Sequence, residues 1–422
     1  MLARPDVPTH SNVPNMRNMT PARLEREIEA VMRDRTGREC LYFPSGRLAL
    51  LCALFSLVAP GAGILISPLT DDVIYFITLA AGLRPIMAPV SPRDGNIDPA
   101  AVPASVWPRV QAVVTTNLYG LPDRLTALRA RCDQLAIPLI EDVAHAIEST
   151  VETAAGRRPV GTVGEVAAFS FSKHADAPGG ALVMADPARR EELARLRDRL
   201  LVPRTLRQRQ IDLVKPPLKR VLQTLRQEMR VRRALRGFGW GERSAYRMEL
   251  RGGELRQAVT APPEPERLER FESWTRVDRH DYRMRQPARL LEEILDRVRA
   301  LPSRRQARLD GVSRLAALEL AAPGARQQPL QPLVRVPLLV ERRDELLDRL
   351  ARRGIGVWYV YDPPLDDYAG AEFAGPSAAP DAARWYARHV LPIDPRHAVP
   401  AVRALRELGA TQAQAVPQQA AG

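Results

Sequence analysis

Along this chain, short continuous apolar runs alternate with segments in which apolar residues recur every third or fourth position, the two patterns of buried strands and amphipathic helices. In TPARLEREIEAVMRDR (20–35), Leu24, Ile28, Val31 and Met32 follow the helical period, with Thr20 as N-cap and Pro21 at the first helical position. Residues 41–58 read as a short extended piece, a Ser-Gly turn and an apolar helix. Strands are expected at 62–68, 84–90, 110–120, 137–147, 165–172 and 179–186, and helices at 71–83 and 123–136. Such alternation predicts an α/β fold, a mostly parallel sheet covered on both faces. Sheets of that kind bind ligands at the carboxyl ends of their strands. Asp142 and Lys173 stand at such ends, and Ser45-Gly46 opens a helix beside them.

The pattern changes at about residue 187 and becomes basic and helical up to about 275. Within it, residues 211–240 carry Lys215, Lys219, Arg220, Arg226, Arg230, Arg232, Arg233 and Arg236. Val214, Leu218, Val221, Leu222, Leu225, Met229 and Leu235 lie among them at roughly helical spacing, and Phe238 and Trp240 follow. The plain reading is a solvated helix with one packed face. A basic amphipathic helix with terminal aromatics can also lie on an anionic membrane surface or pack on a partner. Further on, helices are expected over 282–318, a strand at 333–340, a helix at 342–354, a strand at 356–362 and a last helix at 399–409. The resulting division is an N-terminal arm and helix (1–38), a large domain (39–285) containing the basic insert, a small α+β domain (286–412) and a disordered tail (413–422).

Charge sharpens this picture at one residue. The net charge is +13, and of the 62 Lys and Arg residues only three are lysines: Lys173, Lys215 and Lys219. Wherever the chain needs a cation it almost always uses arginine. A lysine within SFSKHADAPGG (170–180) therefore points to what arginine does poorly, losing a proton and attacking a carbonyl. Aromatics make up only 5% and do not interleave with basic residues, which argues against single-stranded nucleic acid as a partner. Cys40, Cys52 and Cys132 are odd in number and far apart, so neither a disulfide framework nor a metal site is expected. The opening residues lack the apolar core of a signal peptide, and no uncharged apolar run is long enough to span a bilayer. A cytoplasmic protein is expected, with residues 211–240 as its one candidate membrane contact.

Three pieces then converge: a glycine-led helix start offering N–H groups to a phosphate (Gly46), a strand-end carboxylate able to keep a ring nitrogen protonated (Asp142), and a strand-end amine (Lys173). Their order resembles the DegT/DnrJ-type sugar aminotransferases among the fold-type-I pyridoxal phosphate enzymes. The resemblance runs from roughly 20 to 410, outside the basic insert. It rests on GRLAL (46–50), NLYGLPDRLTAL (117–128), EDVAH (141–145), GTVGEVAAFSF (161–171), YRM (282–284), RGIGVWYVYDPPL (353–365) and VLPIDP (390–395).

The resemblance implies a mostly parallel seven-stranded sheet in a large domain plus a small C-terminal domain, assembled as a homodimer. It implies pyridoxal 5'-phosphate as cofactor, a keto sugar as substrate, nucleotide-linked, and an amino acid such as glutamate as donor. Gly46 and the Arg47 amide would hold the cofactor phosphate with Ser170. Asp142 would face the pyridinium nitrogen, His145 the 3-oxygen, and Lys173 would be the catalytic amine. Asp71 falls where the family places an aromatic against the ring. The sequence departs from the family pattern in three places: the loop is shorter on both sides of Lys173, Asp71 offers no stacking face, and Arg47 replaces threonine. Two other readings accompany these departures. One is a non-catalytic paralogue acting as a binding or scaffold protein. The other is a sugar dehydratase in which a histidine, here His174, replaces the lysine.

Overall fold

The computed structural model describes residues 19–204, 247–260, 268–277, 281–375 and 377–414. The expectations for 211–240 and for the tail beyond 414 lie outside the described residues.

The backbone builds a seven-stranded sheet from β1 (Glu39–Phe43), β2 (Gly63–Ile66), β3 (Arg84–Met87), β4 (Ala112–Val114), β5 (Leu139–Asp142), β8 (Val166–Ser170) and β9 (Gly180–Met184). Between β5 and β8 a small hairpin stands apart from it, formed by β6 (Thr150–Thr153) and β7 (Gly156–Pro159). The sheet order is β1-β9-β8-β5-β4-β2-β3. Strands β3, β2, β4, β5 and β8 are parallel, and β9 runs against both of its neighbours.

The helices α1 (Pro21–Thr36), α2 (Gly46–Leu57), α3 (Asp72–Ala80), α4 (Leu125–Leu135) and α5 (Arg190–Leu200) flank it. Successive strand residues point to opposite faces. On β8, Val166 and Ala168 enter the core with α2 and α3, while Ala167 and Phe169 enter the core with α1 and the helix Ala288–Arg299. Both faces are apolar because both are covered, which is why these strands read as continuous runs rather than as alternation. A second core lies around the antiparallel pair β10 (Val336–Leu339) and β11 (Val390–Ile393), with Leu315, Leu350 and Leu405 from three surrounding helices.

The seven-stranded, mostly parallel α/β architecture is present, but two expected strands are altered. The run 110–120 stays extended only over β4. Asn117 and Tyr119 adopt φ of 47° and 59°, and the buried Asp123 carboxylate accepts from the Thr116 and Asn117 N–H groups, pulling the chain out of the sheet. Residues 356–362 form no strand, because Tyr359 takes φ 67° in the middle of the run. The helices Leu365–Phe373 and Pro380–His389 were not foreseen. Both begin next to prolines and carry aspartates in their first turns, which favour a helix start. Among the described residues, no helix is long and apolar enough to cross a membrane.

Candidate active site

Strand β5 ends in two adjacent carboxylates, and the pleat sends them apart. Glu141 is fully buried and accepts from the Gly161, Val163 and Gly164 N–H groups, each at 2.7 Å, so its charge is committed to holding that turn. Asp142 faces the other way. Its Oδ1 accepts from the Ala144 N–H at 2.9 Å. Burial pushes its carboxyl up to about 7, with the Asp71 carboxylate adding to the rise and the Lys173 ammonium opposing it. Asp71, Asp142 and Lys173 thus share one electrostatic neighbourhood at the carboxyl edge of the sheet.

The start of α2 lies against the end of β8. A Cβ placed on Gly46 would lie 2.7 Å from the Ser170 Cβ and 3.0 Å from the Phe169 carbonyl oxygen, so only glycine permits this approach. A Cβ on Gly180 would meet the Gly46 nitrogen at 2.6 Å. Ser45 caps the helix, accepting from the Leu48 N–H and donating to the Tyr282 carbonyl. The Ser170 hydroxyl stands at the same place, 3.0 Å from that of Ser172. A helix N-terminus, close backbone and a hydroxyl make a cradle suited to phosphate. The guanidinium of Arg47 turns elsewhere, donating to the Thr275 carbonyl at 2.7 Å and lying over the Tyr282 ring.

In the loop after β8, the Lys173 Nζ sits 3.7 Å from the centroid of the Tyr359 ring, a cation–π contact. From there its charge is felt by the Asp142 carboxyl. His145 is buried, and burial together with the Lys173 charge lowers its pKa to about 3, so the imidazole is neutral. Its Nδ1 accepts from the Tyr119 N–H at 3.2 Å, which leaves the hydrogen on Nε2. The ring stacks near Tyr119 and meets Tyr359 edge-on. Asp71 is the N-cap of α3, its Oδ1 accepting from the Val73 N–H at 3.0 Å. His174 is fully buried, and its Nε2 lies 2.9 Å from the His145 carbonyl oxygen, so it does not stand in for the lysine.

Gly46, Asp142, His145, Ser170 and Lys173 are thus gathered at one sheet edge, with Asp71 beside them and the Arg47 side chain pointing away. Sequence reasoning missed Tyr359, Tyr119 and Asn117. Tyr359 covers the amine, Tyr119 fixes the histidine tautomer, and Asn117 donates to the Asp142 carbonyl at 2.9 Å. The only signal for the last two was the NLYG turn.

Comparison with known proteins bears on the family rather than on single residues. The model of the DegT/DnrJ/EryC1/StrS aminotransferase family matches residues 14–210. The matched segment holds β1 to β9 and every residue of the candidate site except those from the C-terminal part, such as Tyr359. Among its relatives, the erythromycin biosynthesis sensory transduction protein EryC1 of Saccharopolyspora erythraea is 36% identical over 166 residues, covering 38% of this chain and 44% of that protein. A dTDP-3-amino-3,4,6-trideoxy-alpha-D-glucose transaminase of Streptomyces venezuelae is 34% identical over 161 residues, covering 36% and 41%. The chain spans less than half the length of these relatives. Solved structures share the fold over most of the chain. A DegT DnrJ EryC1 StrS aminotransferase from Brucella abortus superposes with a TM-score of 0.62 at 17% identity, covering 91% of this chain and 90% of that one. Helicobacter pylori PseC, an aminotransferase of pseudoaminic acid biosynthesis, gives 0.61 at 15% identity with the same coverage.

Proposed function

We propose that this protein is a pyridoxal phosphate-dependent aminotransferase of the DegT/DnrJ type. Its substrate is a keto sugar, nucleotide-linked, and its amino donor an amino acid such as glutamate. The observation that carries the reading is the placement of the Lys173 amine within electrostatic reach of both Asp142 and His145, beside the Gly46–Ser170 cradle. The residues present fit the cofactor: a cradle that a Cβ would fill for its phosphate, a buried carboxylate for its ring nitrogen, a neutral histidine N–H for its phenolic oxygen and an amine for its aldehyde. Bound pyridoxal phosphate supplies an electron sink for the carbon from which a proton is removed.

The chain's own groups do the rest. Asp142, held by the Ala144 N–H and raised to about 7 by burial, would ionise against a ring cation brought beside it. His145 donates from Nε2 because Tyr119 occupies Nδ1. The Lys173 Nζ would take the proton released by the amine-bearing substrate carbon and return it to the carbon of the cofactor's aldehyde, with Tyr359 shielding it from water. The relatives' names supply the sugar class. Three buried free thiols suit a reducing cytoplasm. A homodimer is part of the reading and is checked by light scattering.

The first test is the absorption spectrum of purified protein with added pyridoxal phosphate, followed by borohydride reduction and peptide mass mapping. A visible band with the reduced adduct on Lys173 supports the reading. No band and no adduct favours the non-catalytic paralogue.

A further inference from the structure

The connection between Ser170 and Gly180 closes on itself. Phe171 N–H donates to the Gly179 carbonyl at 3.1 Å, and Ala175 N–H donates to the Phe171 carbonyl at 3.0 Å. Within this tight turn Lys173 faces Tyr359, and His174 is buried behind it. A carbonyl only accepts, so the His174 Nε2 that meets the His145 oxygen carries the hydrogen and Nδ1 holds a lone pair. That Nδ1 looks at Glu148 Oε2 from 3.9 Å, and neither atom has a hydrogen-bond partner among the described residues. Burial pushes the Glu148 carboxyl up, with Arg35, Arg308 and Arg305 opposing the rise, and pushes the His174 imidazole well down, so the imidazole stays neutral beside it. Three arginines from C-terminal elements hold the rest of the turn. Arg308 reaches the His174 carbonyl at 3.5 Å, Arg297 the Asp176 carbonyl at 2.5 Å, and Arg396 the Asp176 carboxylate at 3.2 Å.

We infer that His174, backed by Glu148, is the positioning residue of the shortened lysine loop: its bond to the His145 backbone fixes where the Lys173 amine lies. The inference rests on reading Lys173 as the reactive amine. It explains why a fully buried histidine follows the lysine directly. One imidazole ties the amine's turn to the residue that also contributes the neutral histidine donor, so the two groups move together.

The scarcity of lysine makes this testable without cofactor. Reductive methylation with carbon-13 formaldehyde labels only Lys173, Lys215, Lys219 and the amino terminus. The Lys173 methyls, above the Tyr359 ring, give an upfield-shifted NMR signal that is absent in Lys173→Arg. His174→Gln, whose amide can still donate to the His145 carbonyl, retains the shifted signal. His174→Asn and His174→Ala lose it to the position of the other lysines, while the melting transition persists. If His174→Ala does not fold, the Gln and Asn variants decide between them. An unchanged shift in His174→Asn or His174→Ala overturns the inference, as does loss of the shift in His174→Gln. Failure of the cofactor reading looks different: the shifted signal is present in wild type, yet pyridoxal phosphate and borohydride leave Lys173 unmodified.

Discussion

Replacing Asp142 with asparagine should stabilise the cofactor-free protein, and should do so in a pH-dependent way. The carboxyl rises from its ordinary 3.8 to about 7 in the fold, with burial as the main cause. The folded state therefore prefers the protonated acid. That preference is fully present below pH 4 and is lost as pH climbs through 7, where the buried group must ionise. At about 1.4 kcal/mol per pH unit, the span from 3.8 to about 7 sets a ceiling of about 4 kcal/mol on the stability lost. Asparagine is nearly isosteric, its oxygen can still accept from the Ala144 N–H, and it never ionises. Urea unfolding of both proteins from pH 4 to 8.5 gives the difference in stability at each pH. The expected curve lies near zero at pH 4, rises through pH 5–7 in favour of Asp142→Asn and flattens above about pH 8. His145 titrates in the same range in the unfolded chain, but it does so in both proteins and cancels to first order. A difference that stays flat across the whole range would refute the argument that burial, rather than pairing, governs Asp142.

Other substitutions test the remaining parts. Gly46→Ala forces a Cβ against Ser170 and should cost about 1–3 kcal/mol in urea unfolding while weakening pyridoxal phosphate binding, read by titrating the visible band. Glu141→Gln sets an amide against one of three backbone donors. It should lower stability by about 1–3 kcal/mol yet leave adduct formation on Lys173 intact, separating the structural acid from its neighbour. Lys173→Arg should abolish the borohydride adduct without lowering the unfolding midpoint, since the half-buried amine carries no burden of the core.

The sheet and its flanking helices were legible because apolar runs and helical periods state burial directly. The order of Gly46, Asp142 and Lys173 was legible because strand ends can be counted. What escaped was set by backbone conformation or by long-range partners. Tyr359 lies in a run that reads as a strand, and nothing in its neighbours signals φ 67°. The pairing of Tyr119 N–H with His145 spans 26 positions and depends on a turn that Asp123 holds from within. The separate fates of Glu141 and Asp142 follow from the pleat, but which one faces the ligand depends on the turn at 161–164. The direction of the Arg47 side chain is set by the Thr275 carbonyl, 228 positions along the chain, and leaves its backbone amide at the helix start.

The reversed direction of β9 has one more consequence. Because β8 and β9 are hydrogen-bonded neighbours with Ser170 opposite Gly180, the lysine turn is the tip of a hairpin whose two legs are locked in register. A slip by one residue would swap the faces of Ala181, Leu182, Val183 and Met184, all buried, so the legs cannot absorb a change in length. Every insertion or deletion between Ser170 and Gly180 must therefore appear at the tip, as a displacement of the amine. The hairpin works as a fixed-length arm, and lineages that alter its length must re-anchor its end.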